Sequence, residues 1–169
     1  MRIIILISFL TCFLSASLFE ISSLKSDFTQ SIIEPNGNKI EYTGTLYIRD
    51  DKTVLWDYKS PIKKSIHIRD DKIIIIEPEL EQVLFRKFSK QPNFLKLFKN
   101  AKKVSKNTYQ TLFMEVEYFI TVKNKSISSV SYSDKLSNKI TINFTNQTIN
   151  EAIDPQIFHY QIPPHYDII

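Results

Sequence analysis

The chain has 169 residues, 22 Lys and Arg against 18 Asp and Glu for a formal net charge of +4, and 43% hydrophobic residues. That length suits one domain with a single sizeable core. Its two glycines exclude the Gly-rich phosphate cradles of nucleotide enzymes, and its lone Cys12 leaves the rest of the chain without thiol or disulfide chemistry.

Residues 1–17 read as a secretory signal peptide. Arg2 supplies the positive start, an apolar run follows, and Ser15-Ala16-Ser17 offers small residues for cleavage. The run is shorter than the ~20 residues a spanning helix needs. Cys12 lacks the small residue before it that lipidation requires. Residues 18–169 are then a single exported domain, expected in a periplasm, and export disfavours nucleic acid as a partner.

In residues 18–33, Ile21, Leu24, Phe28 and Ile32 recur at three-to-four spacing. This predicts an amphipathic helix, ended by Pro35-Asn36-Gly37. From Lys39 the period becomes two, with Ile40, Tyr42, Gly44, Leu46 and Ile48 on one side. The alternation returns in Val54-Trp56-Tyr58, Ile66-Ile68 and Ile140-Ile142-Phe144, with turn signals at Asp50-Asp51, Ser60-Pro61 and Asp70-Asp71. Residues 92–101 predict a second, short helix presenting Phe94, Leu97, Phe98 and Ala101, with Pro92 near its start. Strands and polar turns follow to the end. The expected fold is mainly β with helices, of the α+β class. About 10–11 antiparallel strands are too many to lie flat, so a strongly curved sheet or incomplete barrel is expected. Apolar helix faces should cover its concave side.

Catalytic chemistry finds no foothold. His67, His159 and His165 have no second ligand at metal spacing. There is no G-x-S-x-G elbow. Glu77, Glu79 and Glu81 alternate beside Pro78 as a solvated edge, unlike the paired carboxylates of a glycosidase. Between residues 86 and 106 there are Arg86, Lys87, Lys90, Lys96, Lys99, Lys102, Lys103 and Lys106 and no acid. This is either a solvated surface or an attraction for acidic partners and lipid head groups. Two opposed apolar layers make either an ordinary core or a lined cavity, and periodicity does not separate them.

Four segments resemble the outer-membrane lipoprotein carrier protein family, LolA. Phe28-Thr29-Gln30 resembles its F-x-Q. Gly44-Thr-Leu-Tyr-Ile-Arg49 and Val54-Leu-Trp56-Asp-Tyr-Lys-Ser-Pro61 resemble its G-x-L-x-[VI]-x-[RK] and W-x-x-x-x-P. Ser65-Ile-His-Ile-Arg-Asp-Asp-Lys72 with Ile76-Glu-Pro78 and Gln82 resembles the next hairpin, and Phe158-His-Tyr-Gln-Ile-Pro163-Pro-His-Tyr-Asp167 the family's closing motif.

The resemblance implies a half-open β-barrel closed by an N-terminal helix and short lid helices around an apolar interior. It implies a periplasmic chaperone, without cofactor or catalysis. Such a protein takes acylated lipoproteins from an inner-membrane releasing ABC transporter to an outer-membrane acceptor, working as a monomer. A lipid- or lipoprotein-sensing regulator of the same fold is the alternative. Leu46, Ile48, Val54 and Trp56, extended by alternation to Ile66, Ile68, Ile74 and Ile76, would face the acyl chains. Leu24, Phe28, Phe94, Leu97 and Phe98 would form the lid. The family's lid-control arginine aligns with the Asp50-Asp51 pair, which leaves Arg49, one residue early, as its possible replacement.

Overall fold

The computed structural model describes residues 21–87 and 94–169, apart from the side chains of Phe94 and Lys96. The expected signal peptide lies outside the described residues. The strands are β1 Leu24–Ile33, β2 Lys39–Ile48, β3 Val54–Ser60, β4 Lys64–Arg69, β5 Lys72–Glu77 and β6 Gln82–Lys87. Helix α1 is Phe94–Lys99. After it come β7 Lys102–Lys103, β8 Thr108–Phe113, β9 Val116–Lys123, β10 Ser126–Ser133, β11 Lys139–Ile149 and β12 Asp167–Ile168.

All belong to one 12-stranded sheet in the order β12-β6-β5-β4-β3-β2-β1-β11-β10-β9-β8-β7. Neighbours pair antiparallel except β12, which runs parallel to β6. The order is linear: β12 and β7 are edges and do not pair, so the sheet is open and curved, the first of the two expected forms and not the half-open barrel. Its curl is evident because side chains of β2 and β3 meet those of β8 and β9 around one cavity.

The expected N-terminal helix is a strand over Leu24–Ile33. Leu24, Phe28 and Ile32 are four apart, and four fits one face of a helix and, being even, one face of a strand. The intervening inward positions are Ser26 and Gln30, both buried, whose polarity hides the alternation. Each is satisfied inside the sheet: Ser26 Oγ donates to the Thr145 carbonyl at 2.9 Å, and Gln30 Oε1 accepts from the Tyr58 hydroxyl at 2.9 Å. Tertiary pairing decides the outcome. β1 is the central strand, laddered to β2 on one side and β11 on the other, and a helix there would strip both of a partner.

The two faces of the sheet carry separate cores. The concave face holds the large one, including Leu24, Phe28, Leu46, Ile48, Val54, Ile120 and Ile140, together with Leu95 and Phe98 of α1. The convex face holds a small one, Ile74, Ile76 and Val83, covered by Ile162 and Tyr166 of the C-terminal segment. Asp154 starts that segment by accepting the Gln156 amide at 2.9 Å ahead of a 3-10 turn, Pro155–Phe158. β12 ends it on β6.

Gly44 is required where it is. A Cβ there would run into the Asp57 backbone carbonyl and lie 2.8 Å from the Phe28 ring. Phe28 therefore lies flat over a bare backbone.

Candidate functional site

Strand parity fixes which side chains share the concave face, because directly paired residues lie on the same side. Leu24 pairs Ile48, which pairs Val54, which pairs Ile68. Leu46 pairs Trp56, which pairs Ile66. Six of the expected acyl-facing residues thus share this face. The β4–β5 hairpin then changes parity. Arg69 pairs Lys72 across a two-residue turn, Asp70-Asp71, with Asp70 left-handed at φ 56°. Ile66 and Ile68 consequently pair with Ile75 and Ile73, while Ile74 and Ile76 pair with His67 and Ser65. Ile74 and Ile76 face the convex side, in the small core, and cannot line a concave cavity.

A cavity of about 270 Å³ opens on the concave face. Leu46, Ile48 and Trp56 form one wall, and Ile142 and Phe144 of β11 continue it. Val130 and Tyr132 of β10, Tyr118 and Ile120 of β9, Thr111 and Phe113 of β8 and the turn residue Met114 form the other. Leu97 and Phe98 of α1 close it. Val54, Ile66 and Ile68 lie beside this space as core and do not line it. Phe28 holds Trp56 in place by an edge contact, ring centroids 5.1 Å apart.

Of the expected lid, Leu97 and Phe98 are on α1 over the cavity, whereas the Phe94 side chain lies outside the described residues. Leu24 and Phe28 belong to β1 and are 2% exposed, so they are sheet core and not lid. Leu95, not named from the sequence, anchors α1 by its burial. The second wall was also missed as a site, although Tyr118-Ile120 and Val130-Tyr132 show the same period of two that marked the first.

Arg49 follows the last residue of β2 and faces away from the cavity. Its guanidinium pairs with Asp51 at 3.1 Å and lies 5.8 Å from the centre of the Phe158 ring. It therefore meets the C-terminal segment and not α1. The β2–β3 loop fixes this. Lys52 takes a left-handed φ of 67°, and Asp51 Oδ1 accepts the Thr53 amide at 3.0 Å.

The convex face carries its own cavity, about 540 Å³, between β4–β5 and residues 158–161. His67 forms part of its wall, its ring 4.9 Å from that of Tyr160 and its Nε2 3.0 Å from Ser65 Oγ. Burial lowers the His67 pKa below the usual imidazole value, opposed by the Phe158 backbone and by Asp57. Among the described residues, no three His, Cys, Asp or Glu gather as a metal set, and no helix is long and apolar enough to cross a membrane. Of the basic stretch, Lys90 lies outside the described residues, and the rest is spread along the strand order. Arg86 and Lys87 end β6, whereas Lys102 and Lys103 form β7, near opposite ends of the strand order.

Comparison with known proteins places this arrangement. The family described as Outer membrane lipoprotein carrier protein LolA matches residues 20–119. The outer-membrane lipoprotein carrier protein of Campylobacter jejuni is 32% identical over 88% of this chain and 86% of its own. That of Wolinella succinogenes is 32% identical over 92% of each. Among solved structures, a LolA superfamily protein of Nitrosomonas europaea aligns with TM-score 0.51 at 8% identity, covering 84% of this chain and 92% of its own. An uncharacterized conserved protein of Thermus thermophilus aligns with TM-score 0.53 at 6% identity, covering 89% and 91%. These two speak for the fold alone. The family match over most of the described strands, with the sequence relatives along nearly the whole chain, establishes that this chain belongs to the outer-membrane lipoprotein carrier protein family, LolA.

Proposed function

We propose that the protein is a periplasmic carrier that holds the acyl chains of lipoproteins in its concave cavity. It receives them from an inner-membrane releasing ABC transporter and delivers them to an outer-membrane acceptor, working as a monomer and without catalysis. The observation that carries this reading is the apolar cavity of about 270 Å³ roofed by Leu97 and Phe98, in a chain of the lipoprotein carrier family.

The physics suits the task. Each buried CH₂ is worth about 0.8 kcal/mol, so an acyl anchor does not cross water unaided. A cavity of about 270 Å³ falls just below the ~300–1,000 Å³ typical of ligand sites. Acyl chains therefore need the roof to move. α1 suits that: its six residues are well short of the ~12–15 that a helix needs to stand alone in water. It is held by the burial of Leu95 and Phe98, and β8 is its main strand neighbour. A lid this short, which takes no part in the strand ladder, can lift without unfolding the sheet.

The test is co-purification. The protein is isolated from the periplasm of cells expressing a lipoprotein, and bound acylated cargo is read by intact mass spectrometry. Trp56→Asp and Val130→Asp place a charge at half-buried positions of the cavity wall and serve as controls once their circular dichroism matches the wild type. Cargo on the native protein and none on the variants is the expected result. If neither the native protein nor the variants carry or capture lipoprotein, the carrier reading fails.

A further inference from the structure

The concave face is not apolar throughout. Beyond Trp56 it carries a group of polar side chains that the core does not consume. Gln30 and Tyr42 are paired across β1 and β2, and Tyr58 and Lys64 across β3 and β4. The Tyr58 hydroxyl donates to Gln30 Oε1 at 2.9 Å. The rings of Tyr42 and Tyr58 meet edge to face at 5.8 Å, and Lys64 Nζ rests over both, 5.4 and 4.6 Å from their centres. Tyr132, which lines the cavity, pairs with Ile140, which pairs with Ile32, two residues from Gln30 on the same face, and it is near enough to Tyr58 to push that phenol's pKa up. Burial pushes the Tyr132 phenol up to about 12, so it remains a donor at any physiological pH.

What this group offers is donors. Lys64 is not ion-paired among the described residues, and an aromatic platform holds a cation without quenching its three N–H bonds. Gln30 spends its carbonyl oxygen on Tyr58, which leaves its amide N–H bonds to donate. No acceptor among the described residues engages the hydroxyls of Tyr42 and Tyr132. The acidic group nearest Tyr132 is Asp134, and its carboxylate is committed to its own turn, accepting from the Leu136 and Asn138 amides and from Asn138 Nδ2.

A donor cluster beside an apolar cavity, joined to it through Tyr132 and through Trp56 stacked on Tyr58, matches a ligand that is apolar along its length with an acceptor at its end. We propose that Lys64, Tyr132 and Gln30 form a head-group subsite that donates hydrogen bonds to the ester and amide carbonyl oxygens where acyl chains join the lipoprotein. This rests on the acyl-carrier reading and adds to it the feature of the cargo that is recognised. Chain burial supplies affinity without discrimination, because any hydrocarbon of that length gains it. The carbonyls supply selectivity, since a buried acceptor left without a donor is penalised.

The experiment compares three probes on the purified protein: a synthetic diacylglyceryl lipopeptide, its dialkyl ether analogue of equal chain length, and palmitate. Affinities are measured by displacement of an environment-sensitive fluorophore, on variants whose circular dichroism and melting match the wild type. Lys64→Met should weaken the diester about tenfold, the loss of one charge-assisted hydrogen bond, and Tyr132→Phe about threefold. Both should leave the ether analogue unchanged, and Lys64→Arg should recover most of the diester affinity. Equal changes on diester and ether, or none on either, overturn the subsite while the carrier reading stands. A loss confined to palmitate also overturns it and assigns Lys64 to a free carboxylate. A wild-type protein that binds no probe removes the carrier reading and the subsite together.

Discussion

The two walls of the concave cavity are built from the same kind of strand but differ in how tightly they are packed. On the N-terminal wall Leu46 and Ile48 are 1% and 2% exposed, backed by Phe28 and Leu24 at 2% each. On the C-terminal wall Ile120 is as buried, but Tyr118, Val130 and Tyr132 are only half-buried, and the hairpin beyond them presents Leu112 and Met114 at 69% and 48% exposure. The difference follows from position in the sheet. β1 and β2 are central strands, whereas β8 ends against the two-residue edge strand β7. We propose that the first wall is the scaffold and the second the side from which the cavity is entered.

The largest effect should come from breaking the scaffold. Phe28→Ala removes a fully buried ring that touches Trp56 and Tyr58, each at 5.1 Å, and covers Gly44. It should cost about 3–5 kcal/mol in urea-induced unfolding. Val130→Ala on the open wall should cost less than about 1 kcal/mol, because little area returns to water. It should nonetheless weaken an acyl probe measurably. If the two substitutions destabilised equally, or if Val130→Ala left probe affinity untouched, the division into scaffold and entry wall would collapse.

How much of this contrast was legible in the sequence depends on what alternation can carry. Leu46, Ile48 and Trp56 were readable because alternation from Lys39 is clean and polar residues mark the other face. The run Ile73-Ile74-Ile75-Ile76 gives no alternation at all. Its facing is set by the number of residues in the turn before it, and a two-residue turn between paired Arg69 and Lys72 moves Ile74 and Ile76 to the convex side. β1 was misread for the opposite reason. Its inward Ser26 and Gln30 are polar, and the even spacing of Leu24, Phe28 and Ile32 satisfies both periods. The short helix was legible in type and place, Phe94–Lys99 within the expected 92–101, because Leu97 and Phe98 needed a surface to cover. Openness was legible from the strand count, but the choice between a curved sheet and a half-open barrel was not, because pairing between β7 and β12 is a long-range matter that no local pattern describes.

The smallest effect belongs to the convex face and appears as a slope with pH. His67 is 8% exposed, beneath Tyr160, and its surroundings hold Asp57, Arg69, Asp70, Lys72 and His159. Burial, the largest influence, lowers its pKa in the folded protein below the ordinary 6.5. In the unfolded chain the same ring takes up its proton near pH ~6.5. Between those two values the unfolded state binds more protons than the folded state, so stability rises with pH across that window. The contribution is fully present above pH ~6.5 and is lost as pH falls toward the folded-state pKa. His67→Gln, which keeps a side chain able to bond Ser65, should flatten that part of the stability–pH curve and leave the behaviour above it unchanged. Proteolysis of residues 155–169 in acid should lessen in the variant as well, because those residues roof the ring. A wild-type curve already flat between pH 5 and 7 would mean that the segment yields to the charged ring without strain. The convex face would then be a cover over a small core, with its hold on β6 and not His67 setting its stability.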